Sequence, residues 1–169
     1  MLGRPGTSHA LQTAERLGLD EAIVADARAR FATRERIPSA DQLLVAWPEE
    51  ALDQVRPDLG TAIVVLTHDD KFDIPMLIGA LATDAFYIGA LGSRRNQERR
   101  RSLLSEAGVT AEDLERIVGP CGLDIGAESP AETALSMIGE ILAARAGRSG
   151  GSLEAAKGRI HAEPLAGKK

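Results

Sequence analysis

The chain has 169 residues, 44% of them hydrophobic and 27% charged, with a formal net charge of −5; the length suits one domain of roughly 100 to 200 residues, and the composition excludes intrinsic disorder and fibrous repeats. The acidic balance excludes a general electrostatic attraction to nucleic acid or to an anionic membrane surface. The single cysteine, Cys121, excludes an internal disulfide, and the scattered His9, His68 and His161 supply no close-spaced zinc motif.

These features predict a cytoplasmic protein without a structural metal. Met1 to Ala10 lack the apolar core of a signal peptide, and no apolar run reaches the roughly 18 residues that a bilayer requires, so no membrane is expected. With one Trp, one Tyr and three Phe, packing falls to Val, Ile, Leu and Ala, as in buried parallel strands.

In chain order, Ser8 to Leu17 reads as a helix closed by Gly18, and Glu21 to Asp26 (EAIVAD) as a buried strand ending in an acid. Residues 43 to 46 (LLVA) fit a short strand, Pro48 to Val55 a helix, and Thr61 to Thr67 (TAIVVLT) the strongest strand of the sequence. Pro75 to Leu81 reads as helix, Ala85 to Leu91 (AFYIGAL) as strand, and Arg94 to Ala107 as a long helix stopped by Gly108. Ile117 and Val118 begin a last short strand. From Pro130 to Arg145, the residues Ala134, Leu135, Ile138, Ile141 and Leu142 recur at helical spacing, which predicts that this face packs on the sheet. Apolar runs alternating with amphipathic ones predict βα units, a parallel sheet with helices on both faces, and hence a three-layer α/β fold. Residues 1–146 form the expected domain, and 147–169, rich in Gly, Ser and charge, the expected mobile tail.

Four stretches could carry chemistry. Gly89-Ala90-Leu91-Gly92-Ser93-Arg94-Arg95 lies where a predicted strand turns into a predicted helix. Glycines admit a ligand close to the backbone, a helix N-terminus offers free amides to an anion, and two arginines can clamp phosphate oxygens. The same residues also read as a tight turn capped by Ser93, with Arg99, Arg100 and Arg101 as surface beyond it. Thr67-His68-Asp69 follows the strongest strand, where ligands bind in open parallel sheets; the acids there also suit helix capping. Gly122 lies in a glycine-containing loop (GPCGLDIG) that either admits a ligand or only shapes the chain, and Cys121 beside it reads first as a small buried residue. The Ser129-Pro130-Ala131-Glu132 run that follows is a capping box. Asp26, closing its strand, with Arg28 two residues on, could hold a ribose hydroxyl and a phosphate, although no glycine fingerprint precedes it.

Together, VVLTHDDKFD (64–73), DAFYIGALGSRRN (84–96), GPCGLDIGAESPAETALSMIGEI (119–141) and the GRSGGSL…GRIH tail (147–161) resemble the C-terminal Rossmann-like domain of the XdhC/CoxI family, accessory proteins for molybdenum hydroxylases such as xanthine dehydrogenase and carbon monoxide dehydrogenase. The resemblance implies a chaperone rather than an enzyme, with no catalytic residues. Such a protein binds molybdenum cofactor transiently, assists its sulfuration by a cysteine desulfurase-type sulfurtransferase, and hands it to the apo-hydroxylase. On that reading the Gly89–Arg95 stretch holds the cofactor's phosphate, and Thr67, His68 and Asp69 contact its pterin.

Two departures from the family pattern stand out. The first strand and glycine-rich loop of the Rossmann domain are absent or reduced to Leu2-Gly3-Arg4-Pro5-Gly6, so a truncated domain, or a homodimer that supplies the strand, is expected. The family's aspartate-proline-arginine is here Asp26-Ala27-Arg28. Two other function classes remain open at this point: an NAD(P)-dependent oxidoreductase, suggested by the sheet and Asp26 but lacking GxGxxG, and a docking module that binds no cofactor.

Overall fold

The structure, a computed structural model, describes residues 40–157, 159 and 160. The expected helix at Ser8 to Leu17, the expected strand at Glu21 to Asp26, and with them Asp26 and Arg28, lie outside the described residues. Within them the order is α1 (Pro48–Val55), β1 (Ala62–Val65), α2 (Asp70–Leu81), β2 (Tyr87–Ala90), α3 (Arg94–Glu106), α4 (Ala111–Glu115), β3 (Ile117–Val118) and α5 (Pro130–Arg145).

The strands form a parallel sheet in the order β1-β2-β3, with Ile63 beside Ile88 and Gly89 beside Val118. Each crossover steps in the same direction, so right-handed connections place α2 and α3 on one face. Strand alternation sends Ile63, Val65, Ile88, Ala90 and Ile117 to that face, where they pack with Leu77, Ala80 and Leu104. The alternate residues Ala62, Val64, Tyr87 and Val118 face α5, where Cys121, Met137 and Ile141 complete a second, smaller cluster. The expected three-layer α/β arrangement is present.

Local chemistry sets the helix starts. Pro48 and Pro130 each open a helix, at a position where the missing N–H costs nothing. The capping box at α5 forms as expected: Ser129 Oγ accepts from Glu132 N at 3.3 Å, and Glu132 Oε2 accepts from Ser129 N at 2.8 Å.

Several expectations need correction. Residues 43–46 form no strand; Leu43 and Val45 are exposed, and nothing among the described residues pairs with them. The strongest strand is shorter than expected, Ala62–Val65 instead of Thr61 to Thr67. Helix α2 starts five residues before Pro75, at Asp70, with Asp69 as its cap. Pro75 falls in the second turn, where the carbonyl it leaves unbonded is that of exposed Lys71, within reach of water.

In α5 the residues turned inward are Ser136 and Met137, with Ile141 half-buried, while Leu135, Ile138 and Leu142 are 64%, 55% and 49% exposed. Two overlapping stripes satisfy helical spacing there. The sheet selects the one that includes Glu140, because Tyr87 of β2 donates a hydrogen bond to it.

Candidate functional site

The loops leaving the carboxyl ends of the three strands, 66–69, 91–93 and 119–129, lie side by side, the place where open parallel sheets bind ligands. Leu91 N donates to Val65 O at 2.9 Å, and Cys121 N donates to Ala90 O at 3.1 Å, so the second loop is tied to the end of β1 and the third to the end of β2.

The turn into α3 is the most anion-receptive element. Gly92 has φ 142°, a conformation that strains any side chain, and Ser93 Oγ accepts from Asn96 N at 3.2 Å as the helix cap. Arg94 and Arg95 follow at the first two helical positions, both exposed, and among the described residues neither has a hydrogen-bond or ion-pair partner. Helices α1, α2, α4 and α5 carry acidic residues in the first turn; α3 carries none. Two cations at the positive end of a helix dipole repel it, and a bound anion relieves that repulsion.

The loop after β1 is more constrained. Thr67 Oγ1 donates to Asp73 Oδ1, while Asp69 Oδ1 accepts from Lys71 N at 3.0 Å as the cap of α2, so its carboxylate is engaged in capping. His68 is exposed. Beside Thr67, a groove of about 250 Å³ is lined by Ile63, Leu66, Thr67, Phe72 and Met76, with Phe72 stacked on Trp47 at 5.3 Å between ring centroids.

Beneath these two loops lies Arg100, which sequence reasoning assigns to the surface beside Arg99 and Arg101. The assignment fails for Arg100, which is 2% exposed, and holds for its neighbours, which make exposed ion pairs with Asp70 and Glu115. Arg100 Nε and Nη2 donate to Asp73 Oδ2 at 2.9 and 2.6 Å, Nη1 donates to Leu91 O at 2.9 Å, and Nη2 to Thr67 O at 3.3 Å. One turn earlier, Gln97 Nε2 donates to Ala90 O at 2.9 Å. Arg100 and Gln97 share the buried side of α3 with Leu104. That i, i+3, i+7 stripe is the sequence signal that could have found them.

Gly89 lies within β2 rather than in the turn; a Cβ there would stand 2.6 Å from the Tyr87 ring, so its role is packing. Gly122 has φ 120°, and its backbone sits against α5, where a Cβ would meet Ser136 Oγ at 2.5 Å. Glu140 Oε2 accepts from Gly122 N at 2.8 Å and from Tyr87 OH, which anchors the third loop. Burial, then the neighbouring Glu140 charge, pushes the Cys121 thiol up; burial and the hydrogen bond to Glu140 push the Tyr87 phenol up. Cys121 is thus a free, buried thiol whose surroundings favour its neutral form. Among the described residues, no three His, Cys, Asp or Glu side chains cluster as metal ligands, and no helix is long and apolar enough to cross a membrane.

A parallel sheet flanked by helices on both faces, with an anion-receptive turn after β2, defines a Rossmann-type domain. The chain belongs to the XdhC Rossmann domain family, whose pattern it matches over residues 3–141. It is 36% identical over 123 residues to a probable xanthine dehydrogenase subunit of Bacillus subtilis, covering 73% of this chain and 35% of that protein. It is 34% identical over 99 residues to the molybdenum cofactor insertion chaperone PaoD of Escherichia coli, covering 59% and 30%. Among solved structures it resembles a xanthine dehydrogenase from Bacillus halodurans, with a TM-score of 0.55 and 25% identity over 66% of this chain and 31% of the other. The chain thus spans about a third of the length of these relatives.

Proposed function

We propose that this chain binds molybdenum cofactor as cargo at the carboxyl end of its sheet and delivers it to an apo molybdenum hydroxylase. The observation that carries this reading is the pair of arginines, Arg94 and Arg95, without partners among the described residues, at the acid-free start of α3. The cargo carries a phosphate, and a phosphate monoester brings roughly 1.5 to 2 negative charges at neutral pH. Two guanidinium forks, the free amides of the α3 start and the side-chain-free backbone at Gly92 together suit such a group. Thr67, His68 and the adjoining apolar groove offer the pterin a partly apolar, partly polar wall.

Nothing in this arrangement requires a covalent step from the chain, so its work is to hold, shield and release. The names of two relatives, a molybdenum cofactor insertion chaperone and a xanthine dehydrogenase subunit, support the same reading. The partners in this proposal are a cysteine desulfurase-type sulfurtransferase acting on the cargo and the apo form of a cytoplasmic molybdenum hydroxylase. The test is an anaerobic titration of the purified chain with molybdenum cofactor, and in parallel with NADH and NADPH. Saturable binding of the cofactor with none of the nicotinamides supports the proposal. Nicotinamide binding with hydride transfer would replace it with an oxidoreductase, and no ligand at all would leave a docking module.

A further inference from the structure

Arg100 is nearly inaccessible, and its hydrogen bonds reach both loops of the candidate site. A guanidinium so deep in a fold is costly unless its charge is balanced and its donors are used. Asp73 balances the charge with two hydrogen bonds to one oxygen, and the other Asp73 oxygen accepts from Thr67 Oγ1. Two further donors of Arg100 point at backbone carbonyls, Leu91 O before the Gly92 turn and Thr67 O after β1. Gly92 lies directly against it, since a Cβ at that position would stand 3.4 Å from Arg100 Nη1. The turn that presents Arg94 and Arg95 is therefore moulded on the guanidinium.

We propose that Arg100, held by Asp73, is a positioning residue that fixes the Arg94–Arg95 turn against the Thr67–Asp69 loop, so that both can meet one ligand. This deepens the cargo-binding reading and rests on it, since the buried Arg100 acts through those loops. A stability role alone would be met by an apolar pair of similar volume at the same place, because buried ion pairs are often no more stabilising than such replacements. What an apolar pair cannot do is bond two specific carbonyls in a fixed fork.

The test is Arg100→Lys, which keeps a cation opposite Asp73 and removes the planar fork. Cofactor affinity is measured by anaerobic titration, and backbone hydrogen exchange is followed by mass spectrometry at 66–69 and 91–95 against β2 as the internal reference. The expected result is roughly 10- to 100-fold weaker binding, the scale of loss when outer-shell partners that orient metal ligands are removed, with faster exchange confined to the two loops. Arg94→Ala/Arg95→Ala separates the two ideas, since it should weaken binding while leaving loop exchange at the native rate. If the native chain binds no cofactor, the cargo reading fails, and loop exchange in Arg100→Lys still decides whether Arg100 holds the loops. Native affinity and native loop exchange in Arg100→Lys would overturn the positioning role. Should Arg100→Lys not fold, Asp73→Leu/Arg100→Met takes its place with the same two readouts, and failure of both to fold would assign the pair to the core and overturn the proposal equally.

Discussion

Among the described residues, eight apolar side chains from Val65 to Leu114 are buried on the face of the sheet covered by α2 and α3, whereas the α5 face buries Tyr87, Cys121 and Met137 with the polar Ser136. The first face is held by apolar burial, with one buried ion pair among the described residues, Asp73–Arg100, near its carboxyl end. The second is held in good part by polar contacts, Tyr87 OH and Gly122 N both donating to Glu140. The difference teaches that stability and ligand geometry are separable here: one face supplies the core, while the loops at the strand ends are fixed by a few charged and polar groups.

Substitutions on the two faces should therefore differ in cost. Leu77→Ala, at a fully buried position between α2 and the sheet, is expected to lower unfolding free energy by about 2 to 5 kcal/mol, read from the denaturant midpoint at constant slope. Met137→Ala should fall near the low end of that range, about 2 kcal/mol, because its cluster is small and its site can relax. Equal losses at both positions would erase the contrast.

A smaller effect concerns pH. Tyr87 and Cys121 both have folded pKa values raised above their ordinary 10.0 and 9.0, so the folded state retains protons that the unfolded chain gives up. Their contribution is fully present below those ordinary values and is lost as pH rises above them. Denaturant midpoints should stay level up to about pH 8 and decline through the alkaline range, and Cys121→Ala should flatten the earlier part of the decline. A stability rising between pH 9 and 11 would contradict the burial that causes both shifts. Smallest of all, Leu135→Ser and Ile138→Ser on the exposed side of α5 should each change stability by no more than about 0.5 kcal/mol. A large loss at either would mean that this stripe is covered.

Legibility in the sequence followed the range of the interaction. The α5 start was readable because Ser129, Pro130 and Glu132 act within four residues, and β2 because its run is continuously apolar. The start of α2 was misread, since Pro75 signals a first helical position while the actual cap, Asp69, lies among several acids of equal promise. The inward face of α5 differs from the sequence expectation because the stripe that packs inward includes the polar Ser136 and Glu140, which only the long-range partners Tyr87 and Gly122 bring inside. At the candidate site, the Gly92-Ser93-Arg94-Arg95 turn was legible from its residue types, and its capping and exposure follow that reading. The Arg100–Asp73 pair was hidden because it joins residues 27 apart in sequence, within an arginine run whose other members face solvent.

The binding assignment is tested most directly by comparing the affinities of the native chain and of Arg94→Ala/Arg95→Ala for molybdenum cofactor, under anaerobic conditions and at matched ionic strength. The exposed arginines contribute little to folding, so the double variant should keep its thermal midpoint and lose roughly 10-fold or more in affinity, with the native chain's binding weakened by added salt. Equal affinities in two equally folded proteins would contradict it and remove the α3 turn from the site.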